Sequence, residues 1–448
     1  MDINTDVLIV GTGAAGLYSA LNLREDLNII MITKGNLTQC NSYLAQGGIS
    51  VAVGKEDVPA FIEDTMRAGN YKNNKNSVKI LCEESMECVH DLVEFGTPFN
   101  KVNEELCYTR EGAHSTFRIA YCNDNTGKHV VDTLINKAKK KKNITVIENS
   151  QVVDLITKDN TCSGAVIIQG RKQLNVFCKV LILATGGIGG LFKNSTNERS
   201  ITGDGLFIAL KYNIHLKDIS YIQFHPTAFY KRNSSSRRFL ISESVRGEGG
   251  KLLNLKGESF INELLPRDVV SQAINKEIAS SGIPFVHLDI SHRSSDFIRN
   301  RFPSIYKECM MQGIDITKYP IPVSPAQHYF MGGINVNEFS QTSMKNLYAV
   351  GETSCTGAHG SNRLASNSLL EGFVFSKRAA KIINSTIDSL GITFNKVPLL
   401  VSSLENIQDY QRKTVIEELK RRSHLLNDEL FSYRQDNIKC SAGGYALF

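Results

Sequence analysis

No CxxC pair occurs among the ten cysteines, no apolar run approaches the length of a membrane span, and neither an internal repeat nor a low-complexity tract interrupts the chain. Each absence excludes a class. Cysteines scattered from Cys40 to Cys440 fit reduced thiols in a large intracellular protein, and they argue against a disulfide framework, a zinc site or an iron–sulfur cluster held by this chain. A spanning helix needs roughly 20 consecutive apolar residues, so no membrane contact is expected. The first ten residues, MDINTDVLIV, have no charged leader before their apolar run and read as a buried strand from Asp6 rather than a secretion signal. A cytoplasmic location is the expectation.

An excess of one charge is lacking too. The net charge of +6 over 448 residues is modest, and the one dense run lies between Lys137 and Lys142. That run ends an apparent helix over 126–142 whose apolar residues Val130, Val131, Leu134, Ile135 and Ala138 share a face. Lysines at a helix C-terminus complement its dipole, so nucleic acid is not an expected partner. At 448 residues with 42% hydrophobic content, the chain is too long for one core and should form two or three domains.

What is present begins with a strand (6–10), a glycine turn, a helix (14–23) and a strand (28–33), the first βαβ unit of a doubly wound sheet. The turn, Gly11-Thr12-Gly13-Ala14-Ala15-Gly16, lets the backbone bend sharply, admit a pyrophosphate and pack helix on strand. The second strand ends in Thr33-Lys34 where an acidic residue usually grips the ribose. This counts against a simple NAD enzyme and favours FAD with an unusual ribose contact. A near-continuous apolar run over 176–184 leads into Thr185-Gly186-Gly187, and another over 346–350 leads into Gly351-Glu352; parallel strands covered on both faces have this composition. Between about 220 and 327 the chain turns to short segments and histidines. The expected fold class is α/β: a doubly wound, Rossmann-like FAD-binding domain (1–219 and 330–392) interrupted by an α+β capping domain (220–329), with a short helical C-terminal region (393–448).

Several blocks in order carry a resemblance: Ala45-Gln46-Gly47-Gly48-Ile49, Ala184-Thr185-Gly186-Gly187, Thr202-Gly203-Asp204-Gly205, Gln223-Phe224-His225-Pro226-Thr227, Arg246-Gly247-Glu248-Gly249-Gly250 and the stretch from Arg363 to Gly372. Over Asp6 to Arg378 the chain resembles the flavoprotein family of fumarate reductases, succinate dehydrogenases and L-aspartate oxidases. The resemblance implies that Gly11, Gly13, Ala14, Ala15, Gly16, Thr33, Lys34, Asn41, Ser42, Ala45, Gln46, Gly47, Gly48, Ala184, Thr185, Gly186, Asp204, Glu352, Ser366, Asn367, Ser368 and Leu369 hold FAD. A helix starting near Ser366 would stabilise the negative charge of the reduced ring. Where respiratory members attach FAD covalently to a histidine, this chain has Asn41, so non-covalent FAD is implied.

The resemblance also implies a dicarboxylate site of His225, Ser242, Glu243, Arg267, His328 and Arg363, with threonine usual at Ser242. His328 and Arg363 would clamp one carboxylate and His225 and Ser242 the other, since arginine meets a carboxylate with two parallel hydrogen bonds. Arg267, helped by Glu243, would pass a proton, and His225, Glu243 and Arg267 are the catalytic candidates. Read singly, His225 could only end a strand, Arg267 could be a surface charge at a helix start, and Arg363 could pair with Glu371. The segment Thr109-Arg110-Glu111-Gly112-Ala113-His114-Ser115 resembles a Thr-Arg-Glu-Gly-Gly-His-Ser stretch of the L-aspartate oxidases, whose glutamate faces the substrate's amino group. Alone, Glu111 could merely pair with Arg110 or Lys101 on a solvated loop. Ala113 replaces a glycine, which matters if that position needs positive φ.

The activity implied is oxidation of L-aspartate to iminoaspartate by hydride transfer to FAD, with oxygen or fumarate as the electron acceptor. Quinolinate synthase is the expected consumer, in de novo NAD biosynthesis. The alternatives are a soluble fumarate reductase or succinate dehydrogenase flavoprotein, disfavoured by Asn41 and Glu111, and an FAD protein that modifies RNA through the lysine run. The region after Thr393 departs from the family, being short and without its arginine-rich helical motif.

Overall fold

The computed structural model describes residues 1–432 apart from 233–235, 399 and 401; Cys440 and the rest of 433–448, the end of the expected C-terminal region, lie outside them. The chain opens with β1 (Asp2–Val10), α1 (Ala14–Asn22) and β2 (Ile29–Ile32), and continues through α2 (Val58–Ala68), α3 (Thr126–Lys140) and β3 (Ile144–Ile147). Three long strands follow, β4 (Ser150–Lys158), β5 (Thr161–Gln169) and β6 (Lys172–Leu183), and then α4 (Asp204–Lys211). A second group comprises β7 (Ile222–Phe229), α5 (Glu243–Gly247), β8 (Lys251–Leu253), α6 (Arg267–Ser281), β9 (Val286–Asp289) and β10 (Ile321–Phe330). Strand β11 (Leu347–Ala349) and helices α7 (Asn367–Thr386) and α8 (Leu404–Arg422) close the order.

The main sheet runs β3-β2-β1-β6-β5-β4, with β11 beside the end of β6. Its β3, β2, β1, β6 and β11 pairings are parallel, whereas β6, β5 and β4 form an antiparallel meander. Side chains alternate across a strand. Val7, Ile9, Met31, Val180 and Ile182 therefore enter one core with α1, α3 and α7, while Leu8, Val10, Ile30, Ile32, Leu181 and Leu183 enter another with α4 and α8. Two cores sharing one sheet explain why the apolar runs are continuous.

Several expected boundaries shift. Strand β1 starts at Asp2, because Asp2–Thr5 pair with Asn175–Cys178 of a β6 that itself begins at Lys172, before the apolar run. Helix α3 stops at Lys140; Lys141 turns extended and its ammonium meets Glu25. Helix α8 ends at Arg422 rather than near Leu426.

The second group builds its own antiparallel sheet, β7-β10-β9-β8, around a core of residues such as Ile241, Val270, Leu288, Phe302 and Val323. The described cysteines are all free. Among the described residues no helix is long and apolar enough to cross a membrane.

Candidate active site

One continuous cleft of about 400 Å³ runs from the glycine turn after β1 to the start of the second sheet. At the turn, Gly11 has φ +111 and a Cβ there would collide with the Ala184 carbonyl, so only glycine fits. Gly13 precedes α1 at its N-terminus, where free N–H groups and the dipole favour a phosphate. The Ala14 N–H donates to Ser42 Oγ at 3.2 Å, which ties the following arm, 41–48, to the turn. Lys34 reaches across to the Ser200 carbonyl at 2.9 Å and to Asp204, the first residue of α4, at 2.7 Å.

Asn41 donates to Asn197 Oδ1 at 2.9 Å and accepts from the Glu198 N–H at 2.9 Å. Thr185 donates to Thr353 at 2.9 Å. Half-buried Glu352 accepts from the Phe330 N–H, and withdrawal from water pushes its carboxyl up to about 7. Gln46 Oε1 is buried with no hydrogen-bond partner among the described residues, an acceptor available to a bound molecule. The phosphate-sized turn, the orphaned acceptor and the N-terminus of α7 beside Ser366, Ser368 and Leu369 suit a dinucleotide carrying an electron-accepting ring. Gly16 and Asn367 do not line the cleft: Gly16 packs against Gly11 and Ala184, and the Asn367 side chain turns away to Thr65.

The other end gathers Glu111, His225, Ser242, Glu243, Arg267, His328 and Arg363. Arg363 is buried over the ring of Tyr329 at 4.3 Å, donates to Ser368 at 3.1 Å and has no carboxylate within ion-pair distance among the described residues. Glu371 is not its partner, being taken by His359 at 2.9 Å and Tyr329 at 3.0 Å. Burial and the neighbouring Arg267 push the Arg363 guanidinium down to about 10.

Arg267 is the first residue of α6, where a cation opposes the helix dipole, yet it is buried and held by Glu243 at 2.5 Å. Burial opposes ionisation of Glu243, but the Arg267 and Arg246 charges prevail and keep its carboxyl below the usual range. Glu111 shifts the other way, raised by burial and by the charge of Glu243. It is only 4% exposed and accepts from Ser366 Oγ at 2.5 Å and from Ser244 Oγ at 3.3 Å, so it faces inward and not onto a solvated loop.

The His225 and His328 rings lie 5.0 Å apart. Burial and the surrounding arginines hold both well below the usual imidazole range, so both are neutral. His225 Nδ1 accepts from the Thr227 N–H at 3.2 Å, which puts its proton on Nε2, a buried atom without a partner among the described residues. His328 Nδ1 meets Thr196 Oγ1 at 2.8 Å. Ser242 caps α5 by accepting from the Ser244 N–H, so its hydroxyl is partly committed to the fold.

Gln223, Ser244 and Arg246 belong to the site although residue types alone did not single them out. Gln223 accepts from Arg267 at 2.8 Å and donates to the Arg363 carbonyl at 2.8 Å, joining the two arginines. Each lies inside or beside a recognised block, the only sequence signal available.

The FAD binding domain family matches residues 6–369. An L-aspartate oxidase of Clostridium perfringens is 55% identical over 428 residues, covering 95% of this chain and 96% of that one. One from Neisseria meningitidis serogroup B is 40% identical, covering 86% and 78%. Among solved structures, a variant of Escherichia coli quinol fumarate reductase superposes with TM-score 0.82 at 28% identity, covering 94% and 75%. The open form of a flavocytochrome c3 fumarate reductase does so with TM-score 0.68 at 27% identity, covering 86% and 79%.

Proposed function

The chain belongs to the L-aspartate oxidases of the FAD binding domain family, and from that membership we propose that it oxidises L-aspartate at C2 to iminoaspartate. The observation that carries the reading is the buried carboxylate of Glu111 among Arg363, Arg267, His225 and His328, in the same cleft as the dinucleotide turn. A dicarboxylate alone would gain nothing from a negative group there; an ammonium would. Held by the glycine turn after β1, the arm 41–48 and the start of α7, FAD would supply the two-electron acceptor for the hydride, with oxygen or fumarate as the final electron acceptor.

The residues divide the work by charge. Arg363, whose guanidinium meets no carboxylate among the described residues, serves one carboxylate, with His328 beside it, while His225 Nε2–H and Ser242 serve the other. Neutral imidazoles give directed donors without competing for the substrate's proton. Glu111 accepts the ammonium, and its raised basicity suits it to hold the proton that must leave before hydride can depart from C2. Arg267 and Glu243, in contact, form the relay for a proton in the reverse, fumarate-reducing direction; the relay must be tight because a guanidinium rarely deprotonates. Burial of most of these groups excludes the water that would weaken each contact.

Asn41 spends its amide on Asn197 and Glu198, which supports non-covalent FAD. Iminoaspartate hydrolyses readily, so its consumer, quinolinate synthase, must act promptly, in NAD biosynthesis and in the cytoplasm. The test is anaerobic reduction of the flavin. L-Aspartate is expected to bleach it and succinate to do so poorly, with Glu111→Gln narrowing the difference. Bleaching by succinate alone would sink the assignment; equal behaviour of Glu111→Gln and the parent would remove Glu111 as selector.

A further inference from the structure

Behind the Glu111 carboxylate lies a cluster of His114, Arg118, Asp57 and Asp64, none of which lines the cleft. Glu111 and Ser366 stand 255 residues apart in the chain, and their hydrogen bond forms the corner assigned to the amino group. Both segments carry unfavourable backbone. Ser366 has φ +62, and Ala113, two residues after Glu111, has φ +67, a region that side-chain-bearing residues seldom enter.

His114 spans the gap between them. Its Nε2 lies 3.0 Å from the Ala365 carbonyl, and its Nδ1 lies 3.3 Å from Arg118 Nη1. A guanidinium can only donate, so Nδ1 accepts and the ring proton sits on Nε2, donated to Ala365. Burial pushes the ring's pKa down to about 4, so this neutral tautomer persists at ordinary pH. Arg118 is itself fully buried, paired with Asp57 at 2.8 Å and Asp64 at 2.5 Å, and Asp64 also accepts from the Ser115 N–H at 2.7 Å. From the other side Ser50 donates its N–H to the Ser366 carbonyl at 3.2 Å and its hydroxyl to the Ala365 carbonyl at 3.3 Å. Both peptides flanking Ser366 are thereby pinned. Arg363, three residues ahead, is anchored separately by Gln223 and by the Tyr329 ring.

We propose that His114 is a positioning residue that sets selectivity for the amino group. By tying Ala365 to the Glu111 loop it keeps Ser366 left-handed, with the Ser366 hydroxyl on the Glu111 carboxylate. The proposal rests on the aspartate reading of the same pocket and concerns the amino group rather than the carboxylates.

The test uses FAD-loaded protein. His114→Phe keeps an aromatic ring and removes both nitrogens; His114→Gln retains an amide that can donate to Ala365. His114→Phe is expected to raise the KM for L-aspartate at least tenfold and to leave the Kd of succinate, read from the flavin absorption spectrum, within twofold. His114→Gln is expected to recover most of the aspartate KM. Equal loss of both ligands, or no loss of aspartate, overturns the proposal. If His114→Phe does not fold, Ser50→Ala removes the second hydrogen bond to the same carbonyl. A smaller rise confined to aspartate then supports the proposal, and a shared rise or none overturns it. Parent protein whose flavin resists aspartate would instead refute the functional reading, so the two failures are distinguishable.

Discussion

The carboxyl of Glu111 stands above the usual carboxylate range because burial and the charge of Glu243 both disfavour its ionised form. Once protonated it offers no negative charge to an ammonium. The kcat/KM for L-aspartate should therefore fall as pH drops through that raised pKa. Succinate binding should hold or tighten over the same range, since a repelling charge is lost. Glu111→Gln is expected to flatten this acid limb and raise the aspartate KM about 10- to 100-fold, the size of a lost charge-assisted hydrogen bond of about 1.5–3 kcal/mol; pH profiles with both ligands check it. Ala113 makes a separate residue-scale case. At φ +67 its side chain costs about 1–2 kcal/mol, and glycine would relieve this while returning about 0.5–1 kcal/mol to the unfolded chain's freedom. Ala113→Gly should stabilise by up to about 1.5 kcal/mol, seen as a small rise in the denaturation midpoint.

Helix α8 buttresses the nucleotide end from outside. Val415 and Leu419 are fully buried in the core beneath the main sheet, and Val415 lies 3.1 Å from where a Cβ on Gly203 would stand. Gly203, at φ +78, turns the chain into α4, whose first residue is Asp204. The short C-terminal region thus fixes the turn that presents Asp204 to Lys34. Leu419→Ala should cost about 2–5 kcal/mol by cavity formation. It should also weaken FAD retention, and chemical denaturation together with an FAD titration measures both effects.

The cleft joins two separately cored bodies of structure: the main sheet with its helices, and the antiparallel sheet of β7 to β10. A ligand bound to the native cleft and not to the unfolded chain stabilises the whole by mass action, about 2.7 kcal/mol at a hundred times its Kd. FAD should raise Tm, and succinate should raise it further by linking Arg363 to His225 across the two sheets. In Arg363→Gln the FAD increment should survive and the succinate increment disappear, as a thermal melt of the FAD-loaded protein would record.

Local chemistry was legible in the sequence. Gly11-Thr12-Gly13 forms its turn because left-handed backbone and lack of a side chain are properties of single residues, and β2 is apolar throughout because both its faces are covered. Resemblance located the candidate FAD and dicarboxylate residues, and most of those do line one cleft. The antiparallel β4–β5–β6 meander was not legible, since strand direction depends on how β1 and β6 meet and not on periodicity. Residue type alone left Glu111 as either a solvated loop charge or a substrate ligand, and only the resemblance of its surrounding segment favoured the ligand. Only the fold decided its environment, by bringing Ser244 and Ser366, 133 and 255 residues away, against it and removing the water. A residue's type is local, but the cost of its charge is set by everything folded around it.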